Sequence, residues 1–185
     1  MESSEGQVLK PAVMSFVGRS GSGKTVLLEK LIAAIVARGI KVGTLKHHGH
    51  KGFDIDVEGK DSWRHRQAGS SHVVVASPDK IASYRDLDHE LDVKEIISEF
   101  TDVDLVLVEG YRTSEMPTFI VARAANPKQA SDPSELDNPS VVGLVTDMPA
   151  MSEAAARRGL PVRGLDDTQG LADLVLELTG LAGRA

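Results

Sequence analysis

Short apolar runs alternate with helix-spaced apolar positions along the chain, and this pattern predicts its secondary structure. Ala12–Val17 is an apolar, partly β-branched run suited to a strand that is buried on both faces. Apolar residues then recur at helical spacing from position 27 to position 35, and Arg38 and Gly39 are typical of a helix end. The first unit predicted is therefore a strand, a loop and a helix that runs from Gly23 onward.

The same alternation continues toward the C-terminal end of the sequence. Further strands are predicted over residues 40–45, 73–76, 105–108, 118–122 and 141–145, with a short last strand beginning at Val162. Further helices are predicted over residues 61–68, 91–100, 152–158 and 171–178. Strands that alternate with helices predict a three-layer α/β fold with a mainly parallel sheet.

Two segments depart from the alternation. The tetrapeptide SPDK, residues 77–80, lies between VVVA and IASY and predicts a hairpin, hence an antiparallel element in the sheet. Residues 126–139, NPKQASDPSELDNP, are dense in Pro, Ser, Asn and Asp and predict a surface loop. Too little chain follows that loop to build a second core, so we expect one domain over 12–185 after a disordered leader over 1–11.

Composition narrows the classes of function. The 185 residues contain no cysteine, which excludes disulfides, thiolate metal sites and a cysteine nucleophile. A formal net charge of −6 argues against bulk binding to nucleic acid, which needs a clustered excess of Lys and Arg. The N-terminus has no signal-peptide pattern, and no apolar run approaches the roughly 20 residues that span a bilayer. We therefore expect a cytoplasmic protein with neither a nucleic-acid nor a membrane partner.

The loop after the first strand carries a phosphate-binding motif. Its residues match G-x-x-x-x-G-K-[ST], between a buried strand and a helix, where the motif must lie. Glycines let successive N–H groups turn inward around phosphate oxygens, while Lys24 reaches the distal phosphates and Thr25 ligates Mg²⁺. The alternative, a glycine-rich turn with a chance lysine, does not account for four matched positions and both flanks. The candidate ligand-binding residues are Gly18, Arg19, Ser20, Gly21, Ser22, Gly23, Lys24 and Thr25.

A carboxylate for the metal side of such a site follows the strand predicted over 105–108. Glu109, in the segment DLVLVEGY, comes at the carboxyl end of that strand, where ligands of open α/β sheets bind. A lone acid after an apolar strand is often only a solvated strand end. Together with the phosphate loop, Glu109 is the candidate magnesium-side carboxylate.

Residues 46–72 hold five of the six histidines, with several acids and bases, and three interpretations stay open. His47, His48 and His50 could form a zinc or nickel site, although no cysteine assists. The segment could also be a solvated polar loop. The favoured interpretation places it over the nucleotide phosphates, with Lys46 and a histidine on the anion and Asp54 or Asp56 near the metal.

Signals for base selection and for catalysis are sparse. The Asn-Lys-x-Asp string that selects guanine in small GTPases does not occur, and Asp147, after the strand over 141–145, is the candidate base reader in a comparable place. Neither an acceptor-binding signature of a small-molecule kinase nor a positioned nucleophile is evident, and catalysis by such loops needs one. These observations favour holding a triphosphate over transferring it.

Three blocks of the sequence together resemble one family. GRSGSGKTVLLEKLI, LKHHGHKGFDIDVEGKDSWRHRQAGS and LVLVEGYR, between about residues 13 and 112, resemble the MobB family of molybdopterin-guanine dinucleotide biosynthesis adaptor proteins. The resemblance implies a P-loop NTPase-like fold that binds GTP and Mg²⁺, with molybdopterin as a further candidate ligand. It also implies a homodimer that assists MobA, the enzyme that attaches GMP to molybdopterin.

Carried over by motif, the resemblance implies that residues 21–25 contact the phosphates and Mg²⁺. Lys46, His47, His48 and Asp54 would line the site, and the metal would be held by Thr25, Glu109 and Asp54. We therefore expect a GTP-binding accessory protein with weak GTPase activity at most. A nickel-type metallochaperone GTPase, using the histidines as a metal relay, and a small-molecule kinase are the alternatives.

Overall fold

A computed structural model of the chain describes residues 10–49, 52–112, 115–126 and 132–184. These residues divide into two compact units. The first, here called the sheet unit, comprises the described residues up to His47 and from Val93 onward, and the second, the hairpin unit, lies within His48–Asp92. The predicted leader falls outside the described residues except for Lys10 and Pro11. The single domain expected from chain length stays a prediction.

The order of strands and helices follows the predicted alternation. The strands are β1 Ala12–Val17, β2 Val42–Lys46, β3 His72–Ala76, β4 Ile81–Arg85, β5 Leu105–Glu109, β6 Thr118–Ala122, β7 Val141–Thr146 and β8 Val162–Arg163. The helices are α1 Lys24–Val36, α2 Asp61–Gln67, α3 Val93–Ser98, α4 Pro149–Arg157 and α5 Thr168–Leu178. In the part of the chain that the structure describes, none of these helices is both long and apolar enough to cross a bilayer.

Six strands of the sheet unit form one parallel sheet in the order β2-β5-β1-β6-β7-β8. Met14 and Phe16 of β1 pack with α1 and α5 on one face, and Phe16 stacks on Phe119 with ring centroids 5.5 Å apart. On the other face, Val17 packs with α4. Both faces are covered, which explains why the strands read as continuous apolar runs, and the predicted α/β class is confirmed.

Two helices begin earlier than the apolar spacing predicts. The fourth helix was expected from residue 152 but starts at Pro149, a residue that suits the first turn because its missing N–H has no partner there. The fifth starts at Thr168, where the Asp167 side chain accepts a hydrogen bond from the Gly170 N–H. Apolar periodicity marks the buried part of a helix, whereas capping residues mark its start.

The predicted hairpin forms, but its expected place within the main sheet is wrong. In the hairpin unit, β3 and β4 pair antiparallel and make a separate two-stranded sheet. The turn after Ala76 is closed by a hydrogen bond from the Ser77 N–H to the Lys80 carbonyl. A tight turn fixes the pairing of the two strands that flank it, whereas pairing with a larger sheet depends on partners distant in sequence.

Most described residues of the loop predicted over 126–139 are exposed, as expected, but two of them are buried. Asn126 is 7% exposed, and a short 3-10 helix, Pro133–Asp137, buries Leu136 against the core around α4. The Asp132 side chain accepts a hydrogen bond from the Ser134 N–H and so caps that turn. Polar composition indicated a loop correctly but did not reveal the single apolar residue that anchors it.

The close packing of β7 on Phe119 yields a test of the sheet core. A Cβ atom at Gly143 would lie 2.3 Å from Cε1 of the fully buried Phe119 ring. We expect Gly143→Ala to lower the free energy of unfolding by roughly 1–3 kcal/mol, because the buried ring has little room to move. Urea denaturation measures this change. Gly183→Ala, where an added Cβ meets nothing within 4 Å, is the control, and equal losses in both variants would contradict the packing argument.

Candidate functional site

The phosphate loop, residues 18–25, joins the C-terminal end of β1 to the start of α1. Gly21 and Gly23 have φ angles of 82° and 83°, in the left-handed region that glycine adopts without strain. Gly23 is the N-cap of α1, so no side chain caps the first N–H groups of that helix. Exposed N–H groups at a helix N-terminus, with the positive end of the helix dipole, form a favourable environment for an anion.

Gly18 is fixed by packing within the protein. A Cβ atom at this position would lie 2.3 Å from the Val121 carbonyl oxygen and 2.8 Å from Ser22 Oγ. The neighbouring strand β6 therefore leaves room for glycine alone. The first glycine of the motif lets the loop leave the sheet beside β6, whereas Gly21 and Gly23 shape its inward-facing backbone.

Lys24 bends back across the phosphate loop. Its Nζ donates hydrogen bonds to the carbonyl oxygens of Gly18 at 2.9 Å and Arg19 at 3.0 Å. Burial lowers the pKa of Lys24 from its ordinary value; the Glu109 carboxylate raises it, and the cations Arg112 and Lys46 lower it. A bound anion would favour the charged ammonium, so this environment suits a ligand rich in negative charge.

Thr25 and Glu109 meet at the end of β5. Thr25 Oγ1 lies 3.4 Å from both carboxylate oxygens of Glu109, whose side chain is 16% exposed. Lys46 Nζ lies 3.7 Å from Glu109 Oε2, because parallel pairing sets Lys46 directly opposite Glu109. A hydroxyl and a carboxylate are the hard oxygen ligands that Mg²⁺ prefers, so these two residues fit a magnesium site.

His47 lies beside the same strand end. Its backbone N–H donates a hydrogen bond to the Glu109 carbonyl at 2.9 Å, and its ring packs on the Tyr111 ring, with centroids 4.2 Å apart. Tyr111 has a φ angle of 58°, unusual for a residue with a side chain, and follows Gly110 at 108°. The turn after β5 therefore holds His47 next to the predicted metal carboxylate.

His48 and Asp54 belong to the hairpin unit. The His48 ring packs edge-on against Phe53, with centroids 6.0 Å apart. Asp54 Oδ1 lies 3.5 Å from Arg66 Nη1 and accepts a hydrogen bond from the Asp56 N–H at 3.0 Å. Asp56 in turn accepts from Ser62 Oγ at 2.8 Å. Their predicted place at the nucleotide stays a prediction.

The histidine-rich segment does not form a metal cluster in the described part of the chain. Among those residues, no group of three or more His, Cys, Asp or Glu side chains is arranged to hold a metal ion. His50, the third member of the predicted cluster, lies outside the described residues. His47 and His48 instead pack against the aromatic rings of Tyr111 and Phe53.

A turn after β6, residues 123–126, supports the phosphate loop and was missed by the sequence reasoning. The buried Asn126 donates from Nδ2 to the Ser20 carbonyl at 2.8 Å, and the Ala124 N–H donates to Asp147 Oδ1 at 2.6 Å. Arg123 Nη1 lies 3.5 Å from where a Gly23 Cβ would be. The sequence signal was slight, since Asn126 reads as the first residue of a polar loop.

Comparison with known protein families and chains gives a consistent result. The family model MobB, described as molybdopterin guanine dinucleotide synthesis protein B, matches residues 13–147. A molybdopterin-guanine dinucleotide biosynthesis adapter protein of Haemophilus influenzae is 41% identical over 113 residues, covering 60% of this chain and 63% of that relative. The match thus spans just under two thirds of the Haemophilus protein. The Escherichia coli K12 protein of the same name is 35% identical over 170 residues, covering 89% of this chain and 91% of that relative.

Solved structures agree with the sequence comparison. The crystal structure of Bacillus subtilis MobB superposes with a TM-score of 0.72 at 25% identity, covering 91% of this chain and 98% of that one. A second crystal structure, of a molybdopterin-guanine biosynthesis protein B, gives a TM-score of 0.66 at 26% identity, covering 90% and 99%. The fold of the chain is therefore the P-loop NTPase-like fold that was predicted.

Alanine substitutions at two glycines with similar φ angles distinguish an effect on ligand binding from an effect on stability. Gly23 in the phosphate loop and Gly39 after α1 have φ angles of 83° and 81°. Alanine at either position costs roughly 1–2 kcal/mol of backbone strain. We expect only Gly23→Ala to weaken binding of Mg²⁺ with a nucleoside triphosphate, because its methyl group obstructs close approach of the phosphates. Calorimetric titration of both variants measures this, and equal affinities would count against the loop as the phosphate site.

Proposed function

This chain belongs to the MobB family, and from that premise we propose that it binds GTP with Mg²⁺ as an accessory protein for a MobA-type guanylyltransferase. It is a MobB-type adapter of molybdopterin-guanine dinucleotide biosynthesis. The observation that carries the nucleotide proposal is the convergence of Lys24, Thr25 and Glu109 at the start of α1. In the proposal, the protein acts in the cytoplasm, where nucleoside triphosphates are available.

The chain's own groups have distinct parts in this proposal. The N–H groups of the phosphate loop cradle the phosphates, and Lys24 turns from the loop carbonyls toward the β- and γ-phosphates. Thr25 and Glu109 hold Mg²⁺, which neutralises phosphate charge when it is bound. With Glu109 holding Mg²⁺, Lys46, which now lies 3.7 Å from that carboxylate, would be available to contact a phosphate oxygen. In the sheet unit, His47 completes the proposed site. His48 and Asp54 remain candidate ligand-binding residues that the family resemblance implies.

Weak hydrolysis at most is part of the proposal. Glu109 is already committed to Thr25 and Lys46, and a carboxylate that holds a metal is poorly placed to activate a water. Rapid phosphoryl transfer depends on a positioned nucleophile as well as on charge stabilisation. The site is therefore suited to retaining the triphosphate for the partner, which attaches GMP to molybdopterin. Molybdopterin is a further candidate ligand in this proposal.

The hairpin unit supports a homodimer. Phe53, Ile55, Val57, Val75 and Ile81 are each more than half exposed, and Ile81 is 75% exposed. Among the described residues, β3 and β4 pair only with each other, which leaves an open edge on each strand. Isolated two-stranded sheets are marginally stable in water, and exposed apolar edges favour pairing with another chain. A second copy of this unit offers a self-complementary surface of that kind.

Removing the Lys24 ammonium tests the nucleotide proposal. We expect Lys24→Ala to weaken binding of GTP with Mg²⁺ by roughly tenfold to a hundredfold, because charge-assisted hydrogen bonds to the distal phosphates are lost. Binding of GMP, which lacks those phosphates, should weaken far less. Competition against a fluorescent guanine nucleotide measures both. Lys94→Ala, at an exposed lysine paired with Glu115, is the matched control and should bind both nucleotides like the wild type.

The same pair of variants tests the adapter role. Added to a MobA-type guanylyltransferase, the wild type and Lys94→Ala should stimulate formation of molybdopterin guanine dinucleotide, and Lys24→Ala should not. Equal loss of GTP and GMP binding in Lys24→Ala would contradict the assignment of this lysine. Hydrolysis of GTP by the chain alone above about 1 s⁻¹, or rapid transfer to a small acceptor, would identify an enzyme instead of an adapter.

A charge placed on the hairpin tests the homodimer. We expect Ile81→Lys to shift the chain from dimer to monomer in sedimentation velocity at micromolar concentration, because a buried ammonium would oppose association. Leu178→Lys makes a similar substitution at a half-exposed leucine on α5 of the sheet unit and should remain dimeric. A wild type that sediments as a monomer, or a dimer that is lost equally in both variants, would refute this interface.

A further inference from the structure

A cavity of about 390 Å³ opens beside the phosphate loop within the sheet unit. It is lined by Ser22 and Gly23 of the loop, by Asp147 after β7, and by residues 164–167 between β8 and α5. This volume lies within the roughly 300–1,000 Å³ of small-molecule sites in proteins. Ser22 and Gly23 are assigned to the phosphates, whereas the other lining residues have no such role, so the cavity adjoins the phosphate site and has room for the rest of a nucleotide.

Three carboxylates lie at the cavity, and two of them are committed elsewhere. Asp167 accepts a hydrogen bond from the Gly170 N–H as the cap of α5, and Asp166 lies 3.3 Å from Lys30 Nζ in a surface ion pair. Asp147 is different. Its Oδ1 accepts the Ala124 N–H at 2.6 Å, while Oδ2 has no hydrogen-bond partner in the part of the chain that the structure describes.

Surrounding groups hold Asp147 in place. The buried Thr146 accepts the Met148 N–H at 3.0 Å through Oγ1, which orders the chain directly after β7. On the other side, the hydrogen bond from Ala124 ties Asp147 to the turn that supports the phosphate loop. The backbone beside Asp147 and one of its two carboxylate oxygens are therefore tethered at the cavity, and a group that is already positioned loses less freedom when a ligand binds.

We propose that this cavity holds the purine of the bound nucleotide and that Asp147 selects guanine over adenine. Guanine presents two adjacent donors, N1–H and the 2-amino group, which an acceptor-only carboxylate satisfies together. Adenine presents the N1 lone pair at the same edge, so the carboxylate would repel it. Arg123 also lines the cavity, and its planar guanidinium suits the face of an aromatic base. This inference rests on the proposed binding of GTP and names the group that reads its base.

Nucleotide affinities of the wild-type chain with Mg²⁺ give the first test. We expect GTP to bind roughly tenfold to a hundredfold more tightly than ATP, because a charge-assisted pair of hydrogen bonds is replaced by repulsion. ITP, which lacks only the 2-amino group, should bind between the two. Inorganic tripolyphosphate, titrated in parallel by calorimetry, reports on the phosphate site alone.

The variant Asp147→Asn gives the second test. Its amide oxygen can still accept from Ala124 and from N1–H, while its NH₂ group matches the 2-carbonyl of xanthine and opposes the 2-amino group of guanine. We expect GTP affinity to fall at least roughly tenfold and XTP to become the preferred nucleotide. Asp173→Asn, which removes the same charge from an exposed residue paired with Arg38, should keep the preference for GTP.

The outcomes separate this inference from the proposed function. Equal affinities of the wild type for GTP, ITP and ATP, with tripolyphosphate bound, would overturn the role of Asp147 and leave the phosphate site standing. Asp147→Asn that still prefers GTP over XTP would overturn it as well. A wild type that binds neither GTP nor tripolyphosphate would overturn the proposed function itself. The wild-type series decides the matter even where the variant does not fold.

Discussion

Parallel pairing of β1 with β5 on one side and β6 on the other is the constraint on which the candidate site depends. The pairing sets Phe16 opposite both Glu109 and Phe119, so the three strands end at the same edge of the sheet. The phosphate loop, the Glu109 carboxylate and the turn that carries Asn126 therefore meet without any long reach of side chains. Ligands of open α/β sheets bind at this edge for the same geometric reason.

Charge within the site opposes the charge of the whole chain. The protein carries a formal net charge of −6, yet two cations, Lys46 and Arg112, act on Lys24 at the phosphate loop. Burial and these neighbouring cations disfavour the charged form of Lys24, and Glu109 offsets part of that effect. A bound anion would favour the charged form of Lys24, and a divalent cation bound with it would balance the charge of Glu109. The two ligands together would replace the electrostatic interactions that these groups now make with one another.

Prediction from sequence succeeded where the determining interactions are local or periodic. The run of Ala12–Val17, the strand Thr118–Ala122 and the glycine spacing of residues 18–25 reveal their structure through their own pattern. It failed for Asn126, whose buried side chain donates a hydrogen bond to the Ser20 carbonyl. Nothing in the sequence distinguishes such an asparagine from an exposed one in a turn. It failed also for the place of the hairpin, because the turn determines only that β3 pairs with β4 and not which sheet the two strands join.

The sequence by itself determined the α/β class and the phosphate loop, because these depend on periodicity and on residue types at fixed spacing. The family followed from the resemblance of three sequence blocks to a known family. Only the tertiary structure decided which side chains share a site. It brought Thr25 to Glu109 across 84 positions and Asp147 to Ala124 across 23. It also showed that the nearby backbone of β6 is what requires glycine at position 18. Such contacts follow from strand order and register, which are set by packing over the whole sheet and not by any local pattern.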